Sequence, residues 1–144
     1  IGIVARLASA IVMTEEGRLA LSGPEVIETA AGVEEFDSRD RALVWRVTGG
    51  KHRYLLGDCD RLVRDAPAAL REAALGLLEA DALPAPSLAS LTARHRLLAQ
   101  RLERHAGARD GATVWQRMGI AASDTIPLLE ADAFVALADT VRAG

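Results

Sequence analysis

The chain has 144 residues, of which 50% are hydrophobic, 26% are charged and one is cysteine, and its formal net charge is −3. This composition fits one compact soluble unit and excludes general disorder, and the mild acidity argues against nucleic acid as the main partner. No stretch is apolar enough for a membrane span or has the pattern of a signal peptide, so we expect a cytoplasmic protein.

The start of the chain predicts a buried helix followed by two short strands. Apolar residues recur at helical spacing between Ile3 and Ile11, with small residues between them. Ala10–Met13 and Arg18–Ser22 are typical of two strands separated by a turn. Because Ile1 is apolar and no capping residue precedes it, we expect the chain to be a fragment of a longer protein.

The middle of the chain predicts alternating helices and breaks. A short helix is expected over Glu25–Ala30, after Pro24 and before Gly32. The next helix is expected to be capped by Ser38 or Asp40 and to run through Val47. The segments that follow are predicted to be a glycine break at Gly49 and Gly50, an edge strand over Arg53–Leu56, and more helix starting at Asp58 or Asp60.

Helices are predicted for the remainder of the chain. Asp65 and Pro67 favour a helix through Ala80, and residues 80–87 form a proline-punctuated connector. Ser87 is expected to cap a long amphipathic helix, whose apolar face carries Leu88, Leu91, Leu98 and Leu102 and also His95, which we expect to be partly buried by packing. Two more helices are expected over Asp110–Met118 and Glu130–Arg142. The predicted division is an α/β part over residues 1–80 and a helical appendage over residues 81–144.

Several kinds of chemistry have no signal in the sequence. His52, His95 and His105 lack zinc-site spacing, and there is no second cysteine to share a metal with Cys59, so no metal site is expected. The neighbouring Asp58 and Asp60 would raise the pKa of the Cys59 thiol, which argues against a nucleophile. Hydrolase-elbow, P-loop and dinucleotide-binding motifs are also absent.

Two loops could build a binding site. At Ser22-Gly23-Pro24-Glu25 a predicted strand passes into a helix N-terminus, where backbone N–H groups can bind a negative ligand. Residues Thr48–Arg53 combine a glycine pair with three basic side chains, which could bind a carboxylate or phosphate. On the residues alone, each loop is more often structural: the first ends a strand, and the second is a solvated basic turn.

Several segments resemble a known family. Gly23–Thr29 matches the G-P-x-V-I-x-T turn of the carboxyltransferase branch of the crotonase-like fold, within a similar run from residue 2 to residue 32. The segments Thr48–His52 and Leu56–Asp58 resemble those that precede the last helix of such domains. The C-terminal tail is similar to that of β subunits of biotin-independent malonate decarboxylases.

The resemblance implies a fold and an activity. The fold is the C-terminal half of a crotonase-like carboxyltransferase domain, so the N-terminal half of the same domain becomes an expected partner. The activity is decarboxylation of a malonyl thioester on an acyl carrier protein to acetyl thioester and CO₂, performed together with a γ subunit. The carrier would supply a phosphoribosyl-dephospho-coenzyme A arm, an acyl transferase subunit would recharge it, and no cofactor would be bound covalently to this chain.

The resemblance also implies where substrate binds. The expected substrate-binding residues are Ser22, Gly23, Pro24, Glu25, Gly49, Gly50 and His52, with Glu25 as the candidate catalytic residue. Loss of CO₂ leaves an enolate, which oriented N–H donors stabilise. Two alternatives remain open: the carboxyltransferase β component of a biotin-dependent acyl-CoA carboxylase, and a non-catalytic scaffold subunit.

Overall fold

A two-stranded parallel sheet lies at the centre of the computed structural model, which describes residues 2–5, 7–80, 83, 87–108 and 110–142. Strand β1 is Val12–Thr14 and strand β2 is Arg61–Val63, with Met13 opposite Leu62. Both central side chains are buried in the core. Parallel strands need a crossover connection, and here residues 15–60 supply it.

Helices make up most of the described chain. They are α1 (Gly2–Ala5), α2 (Pro24–Ala31), α3 (Arg41–Thr48), α4 (Gly50–Leu55), α5 (Pro67–Glu79), α6 (Leu88–Arg104), α7 (Gly111–Arg117) and α8 (Ala131–Arg142), with a 3₁₀ turn at Ile126–Leu128. Two predicted caps are confirmed, because the side chains of Asp40 and Ser87 each accept a hydrogen bond from the first turn of α3 and α6. Asp110, expected only to begin a helix, caps α7 in the same way. Local signals therefore place these helix starts correctly.

The predicted start of the chain is wrong in two respects. Helix α1 ends at Ala5, and the side chains of Val4 and Leu7 are 71% and 73% exposed, so this segment is not a buried helix. The predicted strand Arg18–Ser22 is reduced to a single antiparallel bridge between Arg18 and Gly49. Strand β1 instead pairs with β2, a partner that lies far along the chain.

The elements predicted around residues 53–60 are also wrong. Arg53–Leu56 is not an edge strand, because Arg53 to Leu55 belong to helix α4. No helix starts at Asp58 or Asp60, and β2 follows them instead. The reason is tertiary: the Asp60 carboxylate accepts the backbone N–H of Ile11 at 2.7 Å, which fixes this segment beside the start of β1.

The core joins the sheet to helices from both ends of the chain. Leu55, Trp115 and Phe134 are almost fully buried, and they pack with Met13 and Leu62 of the sheet. The core thus takes side chains from residues 1–80 and from residues 81–144. The division of the chain at residue 80 stays a prediction.

Helices α5 and α6 carry apolar side chains on the surface. Neither helix contains a buried residue, and the exposed leucines include Leu70, Leu75, Leu78, Leu88, Leu91, Leu97, Leu98 and Leu102. His95 is also exposed, so the expectation that it packs in a partly buried stripe is wrong. Within the described ranges, no helix is long and apolar enough to cross a membrane.

Candidate functional site

The predicted turn at residues 22–25 lines an open cleft. The cleft measures about 530 Å³ and is lined by Arg18, Leu19, Ala20, Leu21, Ser22, Gly23, Pro24, Glu25 and Thr48. It lies at the N-terminus of α2, where Gly23 is the N-cap and Pro24 occupies the first turn. The structure therefore brings Ser22, Gly23, Pro24 and Glu25 together on one surface.

Backbone groups of this turn are available to a ligand. The N–H groups of Leu21, Ser22 and Gly23 have no hydrogen-bond partner among the described residues, whereas the Gly23 carbonyl accepts from Val26 and Ile27. A Cβ on Gly23 would meet only Glu25 Oε2 at 3.3 Å, so the backbone is uncovered there. A helix N-terminus with free N–H groups suits a developing negative charge.

The other three predicted residues lie elsewhere. Gly49 and His52 line a separate cavity of about 300 Å³, whose lining residues are Glu15, Glu16, Ala42, Trp45, Arg46, Gly49, Lys51, His52, Trp115, Ser123, Asp124, Pro127 and Leu128. Gly50 lines neither space, because it packs under β1: a Cβ on Gly50 would lie 2.4 Å from the Thr14 carbonyl oxygen. The predicted binding residues thus lie in three places. Ser22–Glu25 line the open cleft, Gly49 and His52 line the smaller cavity, and Gly50 packs against β1.

His52 is buried as a neutral imidazole. The indole N–H of Trp115 donates to His52 Nδ1 at 2.8 Å, and the two rings stack with an interplanar angle of 14°. Burial, with a smaller contribution from the nearby Arg53 charge, lowers the pKa of His52 from 6.5 to about 4. With Nδ1 accepting, the proton of the neutral ring is on Nε2, which makes Nε2–H a hydrogen-bond donor.

The three basic groups of the Thr48–Arg53 loop do not form a common anion site. The Lys51 ammonium donates to the carbonyls of Pro127 and Leu129, both at 2.6 Å. Arg53 forms an ion pair with the buried Asp58 at 2.9 Å, and His52 is neutral. The three groups thus have separate environments, and binding of a carboxylate or phosphate by this loop stays a prediction.

Arg46 lines the same cavity as His52. Its Nε is buried without a hydrogen-bond partner, and Arg46 has no ion pair within 4 Å among the described residues. Hydrogen bonds from Thr113 lower the pKa of Asp110, and the Arg46 charge adds a smaller contribution in the same direction. Ser123 is buried beside this cavity, and its hydroxyl has no partner in the described part of the chain.

Cys59 is buried and inert, as its sequence context predicts. Burial is the main cause that raises the pKa of the thiol to about 12; the charges of Asp60 and Asp58 add to the rise and that of Arg142 opposes it. The neighbouring carboxylates are therefore a secondary cause. In the residues that the structure describes, no group of three or more His, Cys, Asp or Glu side chains could hold a metal ion.

Sequence reasoning missed the cavity around His52. The types and positions of Arg46 and Ser123 give no signal of a site. A buried tryptophan in an aromatic-poor chain needs a partner for its N–H, so Trp115 did offer one clue. The partner, His52, lies 63 residues away, and spacing could not identify it.

Comparison with known proteins decides the family question. The chain is 34% identical over 146 residues to the malonyl-S-ACP:biotin-protein carboxyltransferase MADC of Malonomonas rubra, covering 99% of this chain and 46% of that protein. It also matches a chain of a Pseudomonas malonate decarboxylase hetero-tetramer, solved in complex with malonate, with a TM-score of 0.67 and 36% identity. The resemblance to malonate-decarboxylase-type carboxyltransferases is confirmed. No protein-family model matches the chain.

The two relatives also limit what can be transferred. The chain spans 46% of the Malonomonas rubra protein and 41% of the Pseudomonas chain, which is less than half of each. The structural match covers 81% of this malonate-decarboxylase-type chain. Both relatives are named as enzymes, one a carboxyltransferase and one a decarboxylase. The hetero-tetramer is the assembly of the Pseudomonas protein.

Proposed function

We propose that this chain is part of a malonate decarboxylase β subunit, which acts with a γ subunit on a malonyl thioester carried by an acyl carrier protein. In this proposal the described residues form the C-terminal half of a crotonase-like domain. The observation that carries it is the open cleft at Ser22–Glu25. There a turn that resembles the family's pattern presents unpartnered N–H groups at a helix N-terminus.

The reaction needs stabilisation of an enolate. The bond between the carboxylate carbon and the α-carbon breaks, CO₂ leaves, and its electron pair moves onto the thioester as an enolate. Removing one N–H donor from a site that stabilises such an oxyanion typically costs about 3–4 kcal/mol. The N–H groups of Ser22 and Gly23 are the proposed donors, and water or a weak acid then protonates the α-carbon to give acetyl thioester.

Glu25 is proposed to line the site without being essential. It is exposed, and its Oε2 lies close to the position that a Gly23 side chain would occupy. The thioester arm, a phosphoribosyl-dephospho-coenzyme A group, would come from the carrier protein. An open cleft of about 530 Å³ leaves room for such an arm to enter from solvent.

Two variants test the donor assignment. Gly23→Val adds bulk where only a flexible glutamate tip is near, so we expect it to block approach to the backbone without unfolding the turn. Glu25→Gln removes the ionisable carboxyl group and keeps the shape. Single-turnover CO₂ release from malonyl carrier protein, in the complete complex, should fall about tenfold or more for Gly23→Val and less than about threefold for Glu25→Gln. The reverse order would reject the backbone donors.

A second candidate reaction is transfer of the carboxyl group to a biotin-carrying protein. The name of the Malonomonas rubra relative favours it. Carboxyl-labelled malonyl carrier protein distinguishes the two reactions. Direct decarboxylation releases labelled CO₂ without any biotin protein, whereas transfer needs that protein and leaves the label on biotin. If neither cleft variant changes either reaction, the chain is a scaffold for the γ subunit.

The proposed partners are the γ subunit, the acyl carrier protein and the acyl transferase subunit. Helix α6 offers a surface for the γ subunit, because Leu88 and Leu102 are largely exposed on one face. Replacing both by glutamine should weaken association in sedimentation velocity. The matched substitutions Ala89→Gln and Gln100→Ala, on other faces of α6, should leave it unchanged. An intact complex with both leucines replaced would reject this contact.

A further inference from the structure

The cavity beside His52 has features that the proposed decarboxylation does not use. Three of its lining side chains have donors without a hydrogen-bond partner among the described residues: the guanidinium of Arg46, the Ser123 hydroxyl and the Nε2–H of neutral His52. His52 and Ser123 are each 6% exposed, so neither donor is well solvated. Leaving buried donors unpaired is unfavourable, and a bound acceptor relieves this cost.

The charges of these donors indicate an anionic acceptor. Arg46 carries a full charge without an ion pair in the described residues, and hydrogen bonds from an ionised donor to a carboxylate are stronger than neutral ones. His52 adds a donor that stays neutral and fixed in one tautomer, because Trp115 holds its other nitrogen. The neutral ring can bind an anion without itself having to be charged inside the protein.

The other lining residues indicate the size, apolar surface and charge of the rest of the ligand. Trp45, Trp115 and Leu128 supply apolar surface, and a volume of about 300 Å³ fits a molecule of several carbon atoms. Three acids also line the cavity: Glu16 and Asp124 are exposed and Glu15 is half-buried. These carboxylates would repel a second negative charge on the ligand.

We propose that this cavity is a binding site for a small monocarboxylate with a short apolar tail, whose carboxylate is held by Arg46, His52 and Ser123. The site is separate from the Ser22–Glu25 cleft. A binding test of this site does not depend on the proposed reaction. Rejecting the monocarboxylate site would therefore not reject the proposed decarboxylation, and rejecting the decarboxylation would not reject this site.

Isothermal titration of the full-length chain with three ligands of equal carbon number tests the proposal. Butyrate should bind saturably in the millimolar range. Butyramide lacks the charge and succinate carries a second carboxylate, so each should bind at least about tenfold more weakly than butyrate. Equal binding of butyrate and butyramide, or no binding of butyrate up to about 50 mM, would overturn the proposal.

Variants locate the site. Arg46→Gln should weaken butyrate binding about tenfold, whereas Arg41→Gln, an exposed arginine of the same helix, should change it by less than about twofold. Ser123→Ala should weaken binding about threefold. If Arg46→Gln unfolds the chain, which circular dichroism would reveal, the wild-type comparison of butyrate with butyramide still decides. Butyrate affinity that is the same in wild type and in folded Arg46→Gln rejects the assigned site.

Discussion

The indole N–H of Trp115 donates to Nδ1 of His52 at 2.8 Å, and this bond joins the two halves of the core. His52 lies in α4 and Trp115 in α7, so the bond ties the glycine-paired loop to the C-terminal helices. Both partners are buried, and the bond fixes which ring nitrogen of His52 carries the proton. A single contact therefore stabilises the fold and sets the chemistry of the neighbouring cavity.

Trp115→Phe should destabilise the protein through this bond. The substitution leaves His52 Nδ1 buried without a donor, and we expect the free energy of unfolding to fall by about 2–4 kcal/mol. Urea denaturation measures the change. Trp45→Phe is the matched control: Trp45 is half-buried, its contact with Arg18 spans 5.2 Å, and its loss should cost about 1 kcal/mol or less. Equal effects of the two variants would mean that the bond contributes little.

Stability should fall as the pH is lowered from about 6.5 to about 4. Because the pKa of His52 is about 4 in the folded protein and 6.5 without burial, the unfolded state binds one more proton in this window. The expected loss is about 3 kcal/mol across the window, with no contribution from His52 above it. His105 acts in the same direction, because burial and the charges of Arg104, Arg117 and Arg101 lower its pKa.

Two variants separate these contributions. His52→Gln should flatten the dependence of unfolding free energy on pH between 6.5 and 4, whereas His105→Gln should remove a smaller part of the slope. Urea melts at several pH values give the number of protons taken up on unfolding. A wild-type slope retained in His52→Gln would show that other groups cause the loss.

The sequence predicts local features well because their causes are local. The predicted caps Asp40 and Ser87 each accept a hydrogen bond from a backbone N–H three residues ahead, so residue type and position next to the helix indicate them. Gly32 ends α2 with a positive φ of 92°, a conformation that glycine adopts readily. Such signals need no knowledge of the rest of the chain.

The errors arise where distant contacts override local pattern. Arg18–Ser22 alternates as a strand does, yet β1 pairs with β2 and leaves this segment only one bridge. The local sequence predicts that Lys51 is an exposed cation, but its ammonium group donates to two carbonyls more than 70 residues away. The cavity is missed for the same reason, since α3, α4 and α7 assemble it.

Among the acidic residues that the structure describes, Asp58 should be the most sensitive to amide substitution. It is buried and accepts from Arg53 at 2.9 Å and from Arg101 of α6 at 3.2 Å. Asp58→Asn removes the charge that both arginines face, and we expect a loss of about 3 kcal/mol. The control Asp37→Asn breaks the exposed pair with Arg39 and should leave the free energy of unfolding almost unchanged.

Amide hydrogen exchange locates the effect of Asp58→Asn. Arg101 ties α6 to the segment after α4, so exchange should accelerate in α6 more than in α8. A uniform acceleration in both helices, or a stability equal to that of Asp37→Asn, would contradict this role for Asp58.

The two glycines Gly50 and Gly76 should respond in opposite directions to alanine. A Cβ on Gly50 would lie 2.4 Å from the Thr14 carbonyl oxygen, which belongs to the backbone of β1 and cannot move without disturbing the sheet. Gly76 lies inside α5 with nothing within 4 Å of an added Cβ. Gly50→Ala should therefore destabilise the fold by about 2 kcal/mol or more, whereas Gly76→Ala should stabilise it by about 0.5–1 kcal/mol. Thermal unfolding of both variants measures the difference. If Gly50→Ala were as stable as wild type but lost substrate binding, Gly50 would belong to the binding site, as its sequence context predicts, and not to the packing of the sheet.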